Sequence, residues 1–85
     1  MAWEWTIESK AAKELKKLPK DVGLRIISKL DFWVESGAPL IFAENLHDST
    51  LGSYRFRIGD YRVIFDVEDE TIVVLAVGHR REIYK

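Results

Sequence analysis

The chain has no cysteine, two histidines and two prolines among its 85 residues. Without thiols it can form neither disulfides nor a thiolate zinc site, and His47 and His79 alone are too few imidazoles for a structural metal. A small secreted domain usually draws on disulfides. Their absence, with an N-terminus lacking the basic start and apolar run of a secretory leader, makes the cytoplasm the expected location. No apolar run is long enough to cross a membrane, and no tract is repetitive or of low complexity. Also missing are a glycine-rich phosphate loop, a metal-binding carboxylate pair and a serine or cysteine nucleophile motif, so no metal and no cofactor are expected.

What is present is 47% apolar and 12% aromatic residues, enough for the core of one domain spanning residues 1–85. The net charge of −1 argues against a uniformly basic nucleic-acid binder, but the charge is segregated. Arg55, Arg57 and Arg62 lie close together, Arg80, Arg81 and Lys85 lie in the tail, and the acids gather in Asp66-Val67-Glu68-Asp69-Glu70.

Along the chain, Trp3, Trp5 and Ile7 alternate with Glu4, Thr6 and Glu8, the pattern of a strand with one buried face. Ser9 is the expected N-cap of a helix from about Lys10 to Leu18, on which Ala11, Leu15 and Leu18 keep helical spacing. Lys10, Lys13 and Lys17 form a basic stripe on another face, either a solvated surface or a contact to nucleic acid. Pro19 stops this helix and suits the first turn of the next, whose apolar positions run from Val22 through Ile26, Ile27, Leu30 and Trp33 to Val34 and end before Gly37. Pro39 to Ala43 is expected as a loop packed on the core or a short helical turn.

Tyr54-Arg55-Phe56-Arg57-Ile58 and Tyr61-Arg62-Val63-Ile64-Phe65 alternate about Gly59-Asp60, which predicts a β-hairpin with a two-residue turn and glycine first. That register sets Phe56 opposite Val63, Tyr54 opposite Phe65 and Arg57 opposite Arg62. The first two pairs make an apolar face. The third sets like charges against each other, with Arg55 on the same side, as though the missing counter-charge were a ligand. The β-branched run Thr71 to Val77 predicts a strand in the middle of the sheet. The fold class is therefore α+β: an N-terminal strand, a helical hairpin, then a mainly antiparallel sheet of about four strands with helices on one face.

After the last strand come His79, Arg80, Arg81 and Tyr84. Fixed guanidinium groups with one imidazole and one phenol suit a phosphodiester, because guanidinium binds phosphate bidentately and stabilises the charge of a pentavalent transition state. Cleavage of RNA through its own 2′-OH needs no metal and no protein nucleophile. The protein must orient that hydroxyl, take its proton, protonate the leaving 5′-oxygen and neutralise the phosphate.

The segment Tyr54 to Phe65, followed by Val77-Gly78-His79-Arg80-Arg81-Glu82-Ile83-Tyr84, resembles the core signature of the RelE/ParE toxin superfamily, the RelE-like branch in particular. Ala12-Lys13-Glu14-Leu15-Lys16-Lys17-Leu18-Pro19 is similar to the family's first helix. The resemblance implies the toxin of a type II toxin–antitoxin pair, a ribosome-dependent messenger RNA endonuclease that works without metal. It implies phosphate and transition-state stabilisation by Arg55, Arg57, Arg62 and Arg80, and stacking or proton transfer by Tyr84. Its expected partners are a cognate antitoxin and the ribosome with messenger RNA in the A site, with DNA met only through the antitoxin. Lys10, Lys13, Lys17 and Arg81 are the expected further RNA contacts.

This sequence has arginine at positions 55 and 57, where some relatives have a lysine that can act as general base. Arginine does not deprotonate, so His79 is expected to take that role first and Tyr84 second. Glu44-Asn45-Leu46-His47-Asp48 is acidic where relatives are often basic; His47 and Asp48 are assigned no role. Two other readings use the same scaffold: a ParE-like poison of DNA gyrase without RNase activity, and an inactive member that only binds its antitoxin.

Overall fold

A computed structural model describes residues 2–47 and 49–84; Met1, Asp48 and Lys85 lie outside the described residues. Strand β1 (Glu4–Ile7) leads into helices α1 (Ser9–Lys16) and α2 (Lys20–Glu35), followed by a 3₁₀ turn at Pro39–Phe42. Then come β2 (Glu44–Asn45), β3 (Tyr54–Ile58), β4 (Tyr61–Glu68) and β5 (Thr71–His79). The sheet has five strands in the order β1-β5-β4-β3-β2, one more than expected because the two-residue β2 adds an edge. β1 runs parallel to β5, and every other pair is antiparallel.

The hairpin register is as read from the sequence, with Tyr54 opposite Phe65, Phe56 opposite Val63 and Arg57 opposite Arg62. Gly59 supplies the positive φ of 59° that the turn's first position requires. Ser9 is the first helical residue of α1 rather than its cap: Glu8 holds the cap position in extended backbone and makes no side-chain capping bond. Pro19 stands at the N-cap of α2, where its missing N–H costs nothing, and Pro39 to Phe42 forms the short helical turn.

One face of the sheet is covered by the helices. Ala11, Val22, Ile26, Leu30 and Trp33 meet Phe56, Ile58, Val63, Phe65, Ile72, Val74 and Val77 in a single core. Stacked rings give that core its backbone: Trp33 lies on Phe56 at 4.2 Å, Phe56 on Phe65 at 4.4 Å, and Tyr54 on Phe65 at 5.4 Å. Because side chains alternate along β3, anchoring Phe56 fixes the opposite direction for Arg55 and Arg57.

The outer face is partly covered too. Ile64 and Ala76 are buried there, outside the main core. Gly52, in the loop before β3, comes so close that a Cβ on it would stand 2.7 Å from Ile64 Cγ2 and 3.2 Å from Leu75 Cδ1. A one-residue bulge shifts the β4–β5 register: Ile64 pairs with Ala76 but Phe65 with Val74. Leu75 is the extra residue, so Leu75 and Ala76 both turn outward, and the inward phase resumes at Val77.

Candidate active site

The outer surface of β3 and β4 carries Arg55, Arg57 and Arg62, and the C-terminal turn folds back over it. The amides of Glu82 and Ile83 both donate to the His79 carbonyl, at 2.9 and 3.0 Å, closing a helical turn. Ile83 packs over Gly78, where even a Cβ would stand at an ordinary contact distance of 3.5 Å from Ile83 Cδ1. This turn delivers Tyr84 to β3. Arg55 Nη1 donates to the Tyr84 hydroxyl at 2.7 Å, and the guanidinium carbon lies 5.9 Å from the ring centre.

Arg55 is thereby held from two sides, since Nε also donates to Glu44 Oε1 at 3.3 Å and Nη2 to Oε2 at 3.5 Å. The Tyr84 bond first, and the Glu44 bond second, raise the Arg55 pKa further, so it is a permanent cation. The hydrogen bond from Arg55 holds Glu44 below the ordinary carboxylate range, with charge from Arg55, Arg57 and Arg62 adding to it. Arg57 reaches the same carboxylate, Nε to Oε1, at 3.8 Å and keeps 60% of its side chain exposed.

Arg62 is the buried member, 6% exposed. Its Nη1 donates to the carbonyls of Gly59 at 3.0 Å and Tyr61 at 2.9 Å, which folds the guanidinium against the hairpin turn. Arg80 arrives at that turn from the end of β5: its amide donates to the Asp60 carbonyl at 2.7 Å, and its Nε lies 3.6 Å from Asp60 Oδ1. Two groups of cations therefore share one surface, Arg55 with Arg57 beside Tyr84, and Arg62 with Arg80 at the turn. The cross-strand pair Arg57 and Arg62 joins them.

His79 is not brought to this surface, contrary to the expectation that it serves as base. It pairs with Tyr61 and meets that ring edge-on at 5.4 Å, and Tyr61 packs against the helix-side core. The Leu75 bulge is the physical reason. Counting in twos from the inward Val74 would send His79 outward, but the extra residue reverses the phase and turns Gly78 outward instead. The His79 Nδ1 accepts the Arg81 amide at 3.1 Å.

The lysine stripe also stands apart. Helix α1 lies along β5, where Glu14 Oε1 accepts the Val77 amide at 3.0 Å, and β4 separates it from β3. Lys10 pairs with Glu14 at 3.2 Å, while Lys13, Lys17 and Arg81 are exposed. Glu44 was missed as a member of the site. A two-residue strand has no periodicity to read, and only its pairing with β3 places Glu44 opposite Arg55. Among the described residues no cluster of three metal-ligating side chains occurs, and no helix is long and apolar enough to cross a membrane.

Comparison with known proteins adds a family. The family model for the ParE toxin of the type II toxin–antitoxin system parDE matches residues 6–84. Toxin RelG of Mycobacterium tuberculosis is 34% identical over 77 residues, covering 88% of this chain and 87% of that protein. In structure, the chain is similar to a toxin–antitoxin complex of the RelBE type from Mycobacterium tuberculosis, with a TM-score of 0.81 at 24% identity over 94% of this chain and 100% of that one. It is also similar to the archaeal RelE–RelB complex of Pyrococcus horikoshii, with a TM-score of 0.73 at 30% identity over 96% and 99%. The match along nearly the whole chain, with the fold to go with it, makes this protein a member of the RelE/ParE superfamily of type II toxin–antitoxin toxins.

Proposed function

We propose that this toxin cleaves messenger RNA in the ribosomal A site, using the ribose 2′-OH as nucleophile, and that a cognate antitoxin holds it inactive in the cytoplasm. The observation that carries the reading is the surface on which Arg55, Arg57 and Arg62 lie side by side, with the Tyr84 hydroxyl on Arg55 and with Arg80 at the adjoining hairpin turn. A scissile phosphate on that surface would meet Arg55 and Arg57, held by the sheet rather than by a loop with Arg62 fixed beside them, which is the preorganisation that transition-state stabilisation needs.

Tyr84 takes the proton-transfer role. Its oxygen accepts from Arg55, so its own proton is free to be given to the leaving 5′-oxygen, while the 2′-OH proton passes to solvent water, from which the phenolate is reprotonated after the cut. His79, on the other face, has no part in the chemistry. Arg81, Lys13 and Lys17, exposed but apart from the reacting groups, supply phosphate contacts to RNA beyond the cut site.

A ParE-like action on DNA gyrase is the second reading, favoured by the family model that spans residues 6–84. It has no use for a phosphate clamp. The two are separated by mapping cleavage of messenger RNA on programmed ribosomes beside a gyrase supercoiling assay, with wild type, Arg62→Ala, Arg80→Ala and Tyr84→Phe. Cleavage by wild type that each substitution weakens supports the nuclease. An intact message with blocked supercoiling sinks it.

A further inference from the structure

The arginine surface is already occupied by an anion of the chain's own. Glu44 touches two of its cations, Arg55 through Nε at 3.3 Å and Nη2 at 3.5 Å, and Arg57 through Nε at 3.8 Å. These distances are longer than the roughly 2.7–2.9 Å of a strong charge-assisted bond, and 44% of the carboxylate side chain is open to water. Its strand, β2, is two residues long and lies at the edge of the sheet, so little backbone pairing holds the carboxylate in place. A weakly bound, exposed anion on the guanidinium forks is one that another anion can displace.

We propose that Glu44 is an internal competitor for phosphate and so sets the affinity of the arginine surface for a nucleic-acid backbone. This rests on the reading of that surface as a phosphate site. A phosphodiester must exchange with the carboxylate, which favours a chain presenting adjacent phosphates over a single free anion: only the chain keeps its other contacts while one phosphate takes the forks. Arg80, half exposed beside Asp60 at the hairpin turn, provides a contact that holds the chain during the exchange.

The test is equilibrium binding of a fluorescent single-stranded 2′-deoxy oligonucleotide, which has no 2′-OH to cleave, at one fixed salt concentration. Glu44→Gln is expected to bind about 3- to 10-fold tighter than wild type, the size of one removed like-charge contact. Glu35→Gln, which removes the same charge from the exposed end of α2, should stay within about twofold. Equal or weaker binding by Glu44→Gln overturns the proposal, as does an equal gain from Glu35→Gln. The nuclease reading fails separately: a Glu44→Gln protein that binds tighter while neither it nor wild type cuts messenger RNA refutes cleavage and leaves the competitor in place.

Discussion

Replacing Arg62 by leucine sets two opposing forces on one buried guanidinium against each other. Its Nη1 is shared between the carbonyls of Gly59 and Tyr61, at 3.0 and 2.9 Å, so the two contacts count as one charge-assisted bond of about 1.5–3 kcal/mol. Against it stands Arg57, directly opposite on β3, and like charges so placed cost roughly 0.2–1 kcal/mol. Leucine keeps the aliphatic packing and loses both, for a net loss of about 1–2 kcal/mol. For a domain of this size that lowers Tm by roughly 4–16 °C. Arg57→Gln is the control, because Arg57 is 60% exposed and loses only a 3.8 Å contact along with the repulsion; its Tm should move little. Paired thermal and urea melts of wild type and the two variants check this. An Arg62→Leu protein as stable as wild type, or more so, would show that desolvation of the guanidinium outweighs its hydrogen bonds and refute the reasoning.

Gly52→Ala places a methyl 2.7 Å from Ile64 Cγ2 and 3.3 Å from the Phe65 carbonyl, so an overpacking loss of about 1–3 kcal/mol is expected in a urea melt. The depressed Glu44 pKa stabilises the fold at neutral pH. That contribution is fully present above the ordinary carboxylate value and is lost as pH falls through the folded one. Wild type should therefore melt slightly above Glu44→Gln at pH 7, and the gap should shrink as pH falls below the ordinary carboxylate value. His79→Ala should leave single-turnover cleavage within a few-fold of wild type, whereas a general base would cost roughly 10²–10⁴.

The hairpin was legible because its signals agree. Alternation on both sides of Gly59-Asp60 fixes the register, and the register alone puts three arginines on one surface. Two other features had no signal to read. Ile72 to Val77 is apolar at every position, so nothing in the sequence marks the phase change at Leu75, and that change decides which way His79 points. The pairing of β2 with β3 depends on a two-residue strand, and with it the place of Glu44 opposite Arg55. The parallel pairing of β1 with β5 was likewise hidden, since it joins the two ends of the chain. Tyr84 is a middle case: the resemblance points to it, but its reach to Arg55 depends on the turn that closes on the His79 carbonyl.

The central claim is that the arginine surface and Tyr84 cleave messenger RNA through its own 2′-OH. The direct measurement is single-turnover cleavage on programmed ribosomes of two messages that differ only in a 2′-deoxy nucleotide at the cut site, with wild type and Tyr84→Phe. The expected outcome is cleavage of the all-ribose message, no cut at the deoxy position, and a rate for Tyr84→Phe lowered by roughly 10²–10⁴. Equal cleavage of both messages, or an unchanged rate for Tyr84→Phe, would contradict it.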